Sequence, residues 1–281
     1  MRSTVFAVGC PLRCLWCSNP ELIGQGGKIL YHRKRCSGCG ACVKLSAGSI
    51  KLTENGCIID RSLCSNLEQC ADACFFDAYE RVGLSISAKE LSLKLLRDKV
   101  FFEQSGGGVT WSGGEPASQA DFFIELSKLL KAENVHVALD TSGHLPWEQL
   151  KPLAEAVDFV LFDIKAIDSE LHKLFTGVDN AMIIENINKL AGIGKIMIAR
   201  LILVPGVNDS EKEISGRLDL VRCLGGNIRV DILRYHRLGA GKYAAMGLSE
   251  PMGDTPECPV ETAEYAAKLA ADMGLTAIIG G

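Results

Sequence analysis

The sequence of 281 residues predicts an α/β protein, a TIM-like partial (β/α)6 barrel that is interrupted by a small cysteine-rich insert. Two observations lead to this prediction. Strand-like and helix-like segments alternate six times, which is typical of a parallel sheet covered by helices. Cysteine is also concentrated, since nine of the 12 cysteines lie before residue 71. We expect residues 1–30 to begin the barrel, 31–80 to form the insert and 81–281 to complete the barrel.

The individual elements follow from apolar periodicity and from helix-start signals. Ser87 with Glu90, and Ser210 with Glu213, have capping-box spacing, and Ser118 with Asp121 is a weaker variant of it. The predicted strands are residues 3–7, 109–111, 135–139, 159–162, 196–204 and 228–233, and the predicted helices are residues 91–102, 122–130, 214–224 and 260–273. The insert has no sustained helical or strand periodicity, so we expect bound metal to stabilise it.

Composition excludes several classes of protein. With 47% hydrophobic and 23% charged residues, the chain is an ordinary globular protein, and its net charge of −4 argues against nucleic-acid binding driven by phosphate neutralisation. No apolar run approaches a membrane span, so we expect no membrane partner and a cytoplasmic monomer. In a reducing compartment, clustered cysteines indicate metal ligands rather than disulfides.

Polar or glycine-rich segments follow all six predicted strands. The carboxyl ends of the strands of a β/α barrel share one edge, where active sites form. These segments should therefore meet at one mouth. They are residues 10–17, 112–116, 140–143, 163–165, 200–206 and 235–239.

The first of these segments has the ligands for an open iron–sulfur cluster. Cys10, Cys14 and Cys17 offer three thiolates for a [4Fe–4S] cube and leave one iron free for a substrate. Structural zinc is the alternative, although it normally has a closed set of four ligands.

With Trp16 beside Cys17, this loop resembles the cluster loop of radical S-adenosylmethionine enzymes. The six segments in their order, from Arg2 to about Gly247, resemble the activating enzymes of glycyl radical enzymes. The resemblance implies that a reduced cluster on Cys10, Cys14 and Cys17 cleaves S-adenosylmethionine to a 5′-deoxyadenosyl radical. This radical then removes hydrogen from a backbone glycine of a partner enzyme.

The resemblance and the residue chemistry together predict the cofactor contacts. Glu115 suits the ammonium of the cofactor, and Lys165 and Arg200 suit its carboxylate, although a tight turn and ordinary ion pairs are the alternatives. By resemblance, Asp140 and Asp163 hold a monovalent cation, and Asp140 capping a turn is the alternative. The full predicted set is Trp16, Gly113, Gly114, Glu115, Asp140, Ser142, Asp163, Lys165, Arg200 and His236.

The insert has the C-x2-C-x2-C spacing of bacterial ferredoxins. Crossed ligation gives one complete set for an auxiliary [4Fe–4S] cluster, made of Cys36, Cys39, Cys42 and Cys74. A second auxiliary cluster would keep only Cys64 and Cys70, because Ser46 and Leu67 stand where cysteines are expected. Cys57 is a spare thiol that could complete a modified site. A zinc knuckle is the alternative for the insert.

The expected partners are a glycyl radical enzyme and a flavodoxin or ferredoxin that donates electrons through the insert. Two other functions remain open, a radical enzyme acting on a small molecule and an iron–sulfur electron carrier without a cofactor pocket. The family usually has an Asp-Gly-Pro-Gly stretch before the position of Arg2, which this sequence lacks. Either the start of the sequence is misassigned or truncated, or capture of the partner is altered. If capture is altered, we expect cofactor cleavage to persist and radical transfer to the partner to be weak.

Overall fold

The computed structural model describes residues 1–226 and 228–280, and its largest feature is a parallel sheet of seven strands in the order β1-β6-β7-β8-β9-β10-β11. Two antiparallel pairs, β2 with β5 and β3 with β4, lie outside it. The strands are β1 Arg2–Ala7, β2 Ile29–Tyr31, β3 Ile50–Thr53, β4 Gly56–Ile59, β5 Tyr79–Arg81, β6 Gly108–Gly113, β7 His136–Thr141, β8 Phe159–Asp163, β9 Met197–Leu203, β10 Arg229–Arg234 and β11 Ala277–Ile279.

Helices connect the successive strands of the main sheet, as parallel pairing requires. The α-helices are α1 Ala41–Leu45, α2 Leu67–Asp72, α3 Ala88–Leu95, α4 Lys99–Ser105, α5 Ala120–Ala132, α6 Trp147–Ala156, α7 Ser169–Thr176, α8 Ala181–Gly192, α9 Glu211–Leu224, α10 Ala240–Ala245 and α11 Val260–Asp272. Short 3-10 turns cover Pro20–Leu22, Arg33–Arg35, Leu96–Asp98 and Pro116–Gln119. Within the described residues, no helix is long and apolar enough to span a bilayer.

The α/β class is confirmed, but the sheet has seven strands rather than six. All six predicted strands are present, and the missed one, β11, has only three residues. The predicted helix over residues 91–102 is broken, because a 3-10 turn separates α3 from α4. Sequence analysis also missed α6, α7, α8 and α10, and it missed the short elements of the insert.

The three predicted helix starts have different outcomes. Ser87 forms the full capping box with Glu90. Ser118 does not cap a helix, because its hydroxyl donates to the Glu115 carbonyl within the 3-10 turn that precedes α5. Ser210 accepts from the backbone of Glu213 at 3.3 Å, but the Glu213 carboxylate turns away from it.

Besides a small cluster that packs Leu30 of β2 against Tyr243 of α10, two separate apolar clusters support the two parts of the chain. The larger one fills the space between the main sheet and its helices and includes the fully buried Trp111 and Phe123. A smaller one lies in the insert and includes the cysteines Cys42 and Cys70. Arg61 connects the insert to the rest, since its guanidinium donates to the carbonyls of Ile29 and Ala245.

Candidate active site

A cavity of about 580 Å³ opens at the carboxyl ends of the parallel strands. The structure brings nearly all of the predicted site residues to this cavity. The predicted residues that line it are Cys10, Cys14, Trp16, Cys17, Gly113, Gly114, Asp140, Ser142, Asp163, Lys165, Arg200 and His236. Glu115 is the exception, and Ile279 of the missed strand β11 and Gly280 after it are unpredicted members of the lining.

The loop that carries the three cysteines is fixed by backbone hydrogen bonds. The amides of Arg13 and Leu15 donate to the carbonyls of Thr176 and Phe175 at the end of α7, at 2.8 and 2.9 Å. Trp16 is buried and packs against the ring of Phe175, with centroids 6.2 Å apart. These contacts with the end of α7 therefore fix the conformation of the cysteine loop.

A second tie holds the same loop from the side of α10. The Lys242 ammonium donates to Asn19 Oδ1 and Glu21 Oε1, both at 2.6 Å. Glu21 is only 8% exposed, and its other oxygen, Oε2, is buried without a hydrogen-bond partner among the described residues. The buried carboxylate of Glu21 thus depends strongly on Lys242, because a buried carboxylate without a charged partner is costly.

Gly113 and Gly114 let the loop after β6 lie directly on the cysteine loop. A Cβ on Gly114 would stand 2.2 Å from the carbonyl oxygen of Gly9, and Gly113 has φ +97°. The Gly114 amide donates to the Ala7 carbonyl at 2.8 Å, and the Glu115 amide donates to that of Gly9 at 2.7 Å. Only glycine allows this contact between the two loops.

Glu115 is placed differently from the prediction. Its side chain is fully buried behind the cavity wall, where its carboxylate accepts from the hydroxyls of Thr141 and Ser142 and from the amides of Ser142 and Ala117. Burial raises the pKa of Glu115, whereas these hydrogen bonds lower it. The carboxylate therefore joins the loops after β6 and β7 and does not face the cavity as a free ligand for an ammonium.

Four charged side chains form an ion-pair network in the cavity wall, which we call the charged quartet: Asp140, Asp163, Lys165 and Arg200. Arg200 contacts both carboxylates, with its Nη2 at 2.7 Å from Asp163 Oδ1, and Lys165 Nζ lies 2.8 Å from Asp163 Oδ2. Ser112 donates to Asp140 at 2.7 Å. Two positive and two negative charges thus balance.

The quartet fixes the protonation of its members. Burial alone would raise the pKa of Asp163, but Arg200 and Lys165 lower it to about 2. Burial likewise lowers the pKa of Lys165, and Asp163 more than reverses this, so the net shift is upward.

Burial also raises the pKa of the Cys10 thiol to about 11 and that of the Cys14 thiol to about 12.

Helix α9 positions the loops that follow β8 and β9, which sequence analysis did not foresee. The Glu213 carboxylate accepts from the amides of Ile167 and Asp168, both at 2.9 Å. Arg217 is fully buried, and its guanidinium donates to the carbonyls of Ile202 and Asn208. These loops lie next to Lys165 and Arg200, so α9 supports the quartet from behind.

The insert brings five cysteines to the wall of one cavity. They are the predicted complete set, Cys36, Cys39, Cys42 and Cys74, together with Cys57. Cys57 Sγ lies 3.7 Å from Cys42 Sγ. Among residues 1–226 and 228–280, no three His, Cys, Asp or Glu side chains are close enough to share a single metal ion.

The incomplete second set lies beside this cavity. The Cys70 thiol is directed at the Cys42 carbonyl, at 3.6 Å, and the Cys64 thiol is directed at Asn66 Oδ1, also at 3.6 Å. Ser46, at the position of an expected ligand, is buried and its hydroxyl donates to the Val43 carbonyl. It therefore acts as a local turn residue.

Comparison with known proteins places the chain in a family. The model of the radical SAM superfamily matches residues 67–218. An isethionate sulfite-lyase activating enzyme of Nitratidesulfovibrio vulgaris (strain Hildenborough) is 37% identical over 262 residues, which cover 90% of this chain and 85% of the relative. The chain belongs to the radical SAM superfamily and, within it, to the glycyl radical enzyme activating enzymes.

Other activating enzymes are similar to a comparable degree. A trans-4-hydroxy-L-proline dehydratase activating enzyme of Clostridioides difficile is 38% identical over 248 residues, or 86% of this chain and 82% of the relative. Among solved structures, a domain of a pyruvate-formate lyase-activating enzyme from Bacteroides vulgatus has a TM-score of 0.54 and 28% identity, covering 62% of this chain and 99% of that domain. Membership of the radical SAM superfamily implies S-adenosylmethionine and a [4Fe–4S] cluster as cofactors.

Proposed function

We propose that this activating enzyme holds its [4Fe–4S] cluster on Cys10, Cys14 and Cys17 and binds S-adenosylmethionine in the adjoining cavity. The observation that carries the proposal is that the three thiols, Trp16 and the charged quartet line one cavity of about 580 Å³. The thiols fit the cluster, because soft sulfur ligands suit iron–sulfur chemistry and three of them leave one iron open. When bound, the reduced cluster would supply one electron and S-adenosylmethionine would supply the radical that removes hydrogen from a glycine of the partner.

The chain's own residues orient the reactants. Lys165, Arg200 and Arg234 are cations in the cavity lining that could bind the carboxylate of the cofactor, and Ser142 and the backbone at Gly113 offer polar contacts in the same lining. Glu115 acts through others, since it fixes Thr141 and Ser142. His236 is exposed at the mouth, where it is suited to contact with the cofactor or the partner rather than to acid–base work.

We propose that the main sheet curves into a partial barrel, since residues after its first and last strands, Cys10 and Gly280, line the same cavity. A lateral opening in such a barrel would admit a backbone loop of a protein. This favours a glycine loop over a small molecule as the substrate. The electron-carrier alternative predicted no cofactor pocket, and it is disfavoured by the cavity and by the family.

Residues 31–80 are proposed to be a ferredoxin-like insert with one auxiliary [4Fe–4S] cluster on Cys36, Cys39, Cys42 and Cys74. Support comes from their common cavity, which the crossed ligation of two sequence motifs requires. Electrons would reach the active site from a flavodoxin or ferredoxin through this insert. We further propose a cytoplasmic monomer, because the many free thiols need a reducing compartment.

Reconstitution with iron and sulfide under anaerobic conditions tests the proposal. We expect about eight irons per chain, four at each proposed cluster. With dithionite, the protein should form 5′-deoxyadenosine from S-adenosylmethionine, and Cys14→Ala should abolish this. Cys223→Ala is the matched control, because Cys223 is exposed on α9. Cleavage that persists in Cys14→Ala would overturn the cluster assignment.

The partner reaction needs a second experiment. The candidates are glycyl radical enzymes encoded next to this chain, with isethionate sulfite-lyase as a first trial because its activating enzyme is a close relative. The expected result is a glycyl radical signal in electron paramagnetic resonance that requires S-adenosylmethionine. Cofactor cleavage without a radical on any neighbouring candidate would instead favour a small-molecule substrate.

A further inference from the structure

We propose that the auxiliary site contains a fifth thiol, Cys57, and that Cys57 takes the place of Cys39 as a cluster ligand when Cys39 is removed. This inference rests on the proposed auxiliary cluster. It goes beyond it by assigning a ligand that the ferredoxin spacing does not include. A [4Fe–4S] cube takes one thiolate at each of four irons, so five thiols around one cavity leave one in reserve.

The position of Cys57 is the first argument. Its Sγ is 3.7 Å from that of Cys42, and it lines the same cavity as Cys36. It therefore contacts a member of the predicted set, although it lies in a hairpin strand outside both motifs. Cys64 and Cys70 are not in the lining of this cavity, so Cys57 belongs with the complete set rather than with the incomplete one.

The rigidity of Cys57 is the second argument. Its strand, β4, pairs with β3, and its amide donates to the hydroxyl of Tyr31 at 2.8 Å. A Cβ on the preceding Gly56 would lie 2.7 Å from that same hydroxyl, so the strand approaches Tyr31 closely. The thiol is consequently held at the cavity by the fold, before any cluster is present.

Cys39 is the contrasting member of the set. It is exposed, whereas the other four are partly or fully buried. Its neighbours Gly38 and Gly40 both have left-handed φ values, +74° and +73°. Cys39 is thus on a glycine-flanked loop that solvent reaches, where a thiol is most open to oxidation or alkylation. A shielded reserve thiol would preserve the cluster when this ligand is lost.

The test uses the full chain with Cys10, Cys14 and Cys17 changed to Ala, so that only auxiliary iron is counted. After anaerobic reconstitution this parent should hold about four irons. Adding Cys39→Ala should leave this content nearly unchanged. Adding Cys39→Ala with Cys57→Ala leaves three thiolates, which can still hold a cube with one open iron, so imidazole should change the electron paramagnetic resonance spectrum of this variant and not that of Cys39→Ala alone. The control adds Cys39→Ala with Cys223→Ala, and it should retain its iron.

The metal content and the electron paramagnetic resonance spectrum are measured together on every variant. Iron and sulfide content reports whether the cluster is present, and the electron paramagnetic resonance spectrum of the reduced cluster should shift when Cys39 is replaced. Cys39→Ser is measured beside Cys39→Ala, in case the alanine variant fails to fold. Loss of iron from both single variants, or the same response to imidazole with and without Cys57, would overturn the inference. A parent without iron would refute the auxiliary cluster itself, which separates that failure from this one.

Discussion

Replacing Arg217 with methionine should destabilise the protein and weaken cofactor binding together. Arg217 is fully buried, and its guanidinium donates to the carbonyls of Ile202 and Asn208 in and after β9. Methionine fills similar space without a donor. The Asn208 carbonyl then loses its charged donor, whereas Ile202 still accepts from the Asn208 side chain at 3.0 Å. Leaving one buried carbonyl unsatisfied costs about 1–3 kcal/mol.

We expect Arg217→Met to lower the free energy of unfolding by about 2 kcal/mol, since removal of a desolvated charge offsets part of the loss. The side chain of Asn208 also donates to the Lys165 carbonyl, at 2.7 Å, so the loop that carries Asn208 helps to hold Lys165. Loosening it should raise KM for S-adenosylmethionine about tenfold, which corresponds to about 1.4 kcal/mol. Arg217→Lys should recover only part of this, because a single ammonium cannot span both carbonyls.

Anaerobic urea denaturation and the rate of 5′-deoxyadenosine formation at several cofactor concentrations measure the two effects. Arg222→Met is the matched control, because Arg222 lies on the same helix but is 57% exposed and, within residues 1–226 and 228–280, pairs only with Asp219. Its effect should stay within about 0.5 kcal/mol. If the two methionine variants have equal unfolding free energies and equal KM values, α9 does not support the site as argued here.

Three further outcomes follow from the site. Gly114→Ala should prevent stable incorporation of the active-site cluster, since its Cβ would meet the Gly9 carbonyl at 2.2 Å, whereas Gly192→Ala, with nothing within 4 Å, should keep full iron content. Lys242→Met should speed release of active-site iron to a chelator several-fold, because it strands a buried carboxylate; an unchanged rate would count against the tie. At pH 7 the auxiliary cluster should assemble first. Burial raises the pKa of the active-site thiol Cys10 to about 11. Burial also raises the pKa of Cys36, but hydrogen bonds from Tyr31, Gly38 and Cys57 together outweigh it, so the net shift at Cys36 is downward. Raising the pH to about 8.5 increases the thiolate fraction at Cys10 and should narrow the gap in assembly rate, as followed by iron content in variants lacking one cluster or the other.

The sequence predicted the composition of the cavity because β/α topology leaves little freedom there. Parallel strands joined by helices bring their carboxyl ends to one edge, so Cys10, Asp140 and Arg200 had to approach one another once the strands were identified. The short strand β11 was missed because three residues carry no usable period.

Side-chain direction was beyond the reach of the sequence. A carboxylate after two glycines looks the same whether it faces the cavity or, like Glu115, turns into the wall toward Ser142. An arginine in a helix is normally solvated, and nothing near Arg217 in the chain marks it as buried. Cys57 likewise joined its site through the pairing of β3 with β4, which motif spacing does not encode.

The balance of the charged quartet suggests how a monovalent cation and the cofactor depend on each other. Asp163 already accepts hydrogen bonds from both Lys165 and Arg200. The carboxylate of S-adenosylmethionine must therefore compete with Asp163 for either of these two side chains. Burial raises the pKa of Asp163 whereas Arg200 and Lys165 lower it, so an aspartate released from these two side chains keeps only the effect of burial and stays ionised only with another positive partner. We propose that a monovalent cation supplies this partner, with Asp140 and Asp163 as hard oxygen ligands. Cofactor affinity should then rise with the concentration of the preferred cation at constant ionic strength, and Asp163→Asn should remove that dependence. Equal dependence in both proteins would show that the effect of salt arises elsewhere.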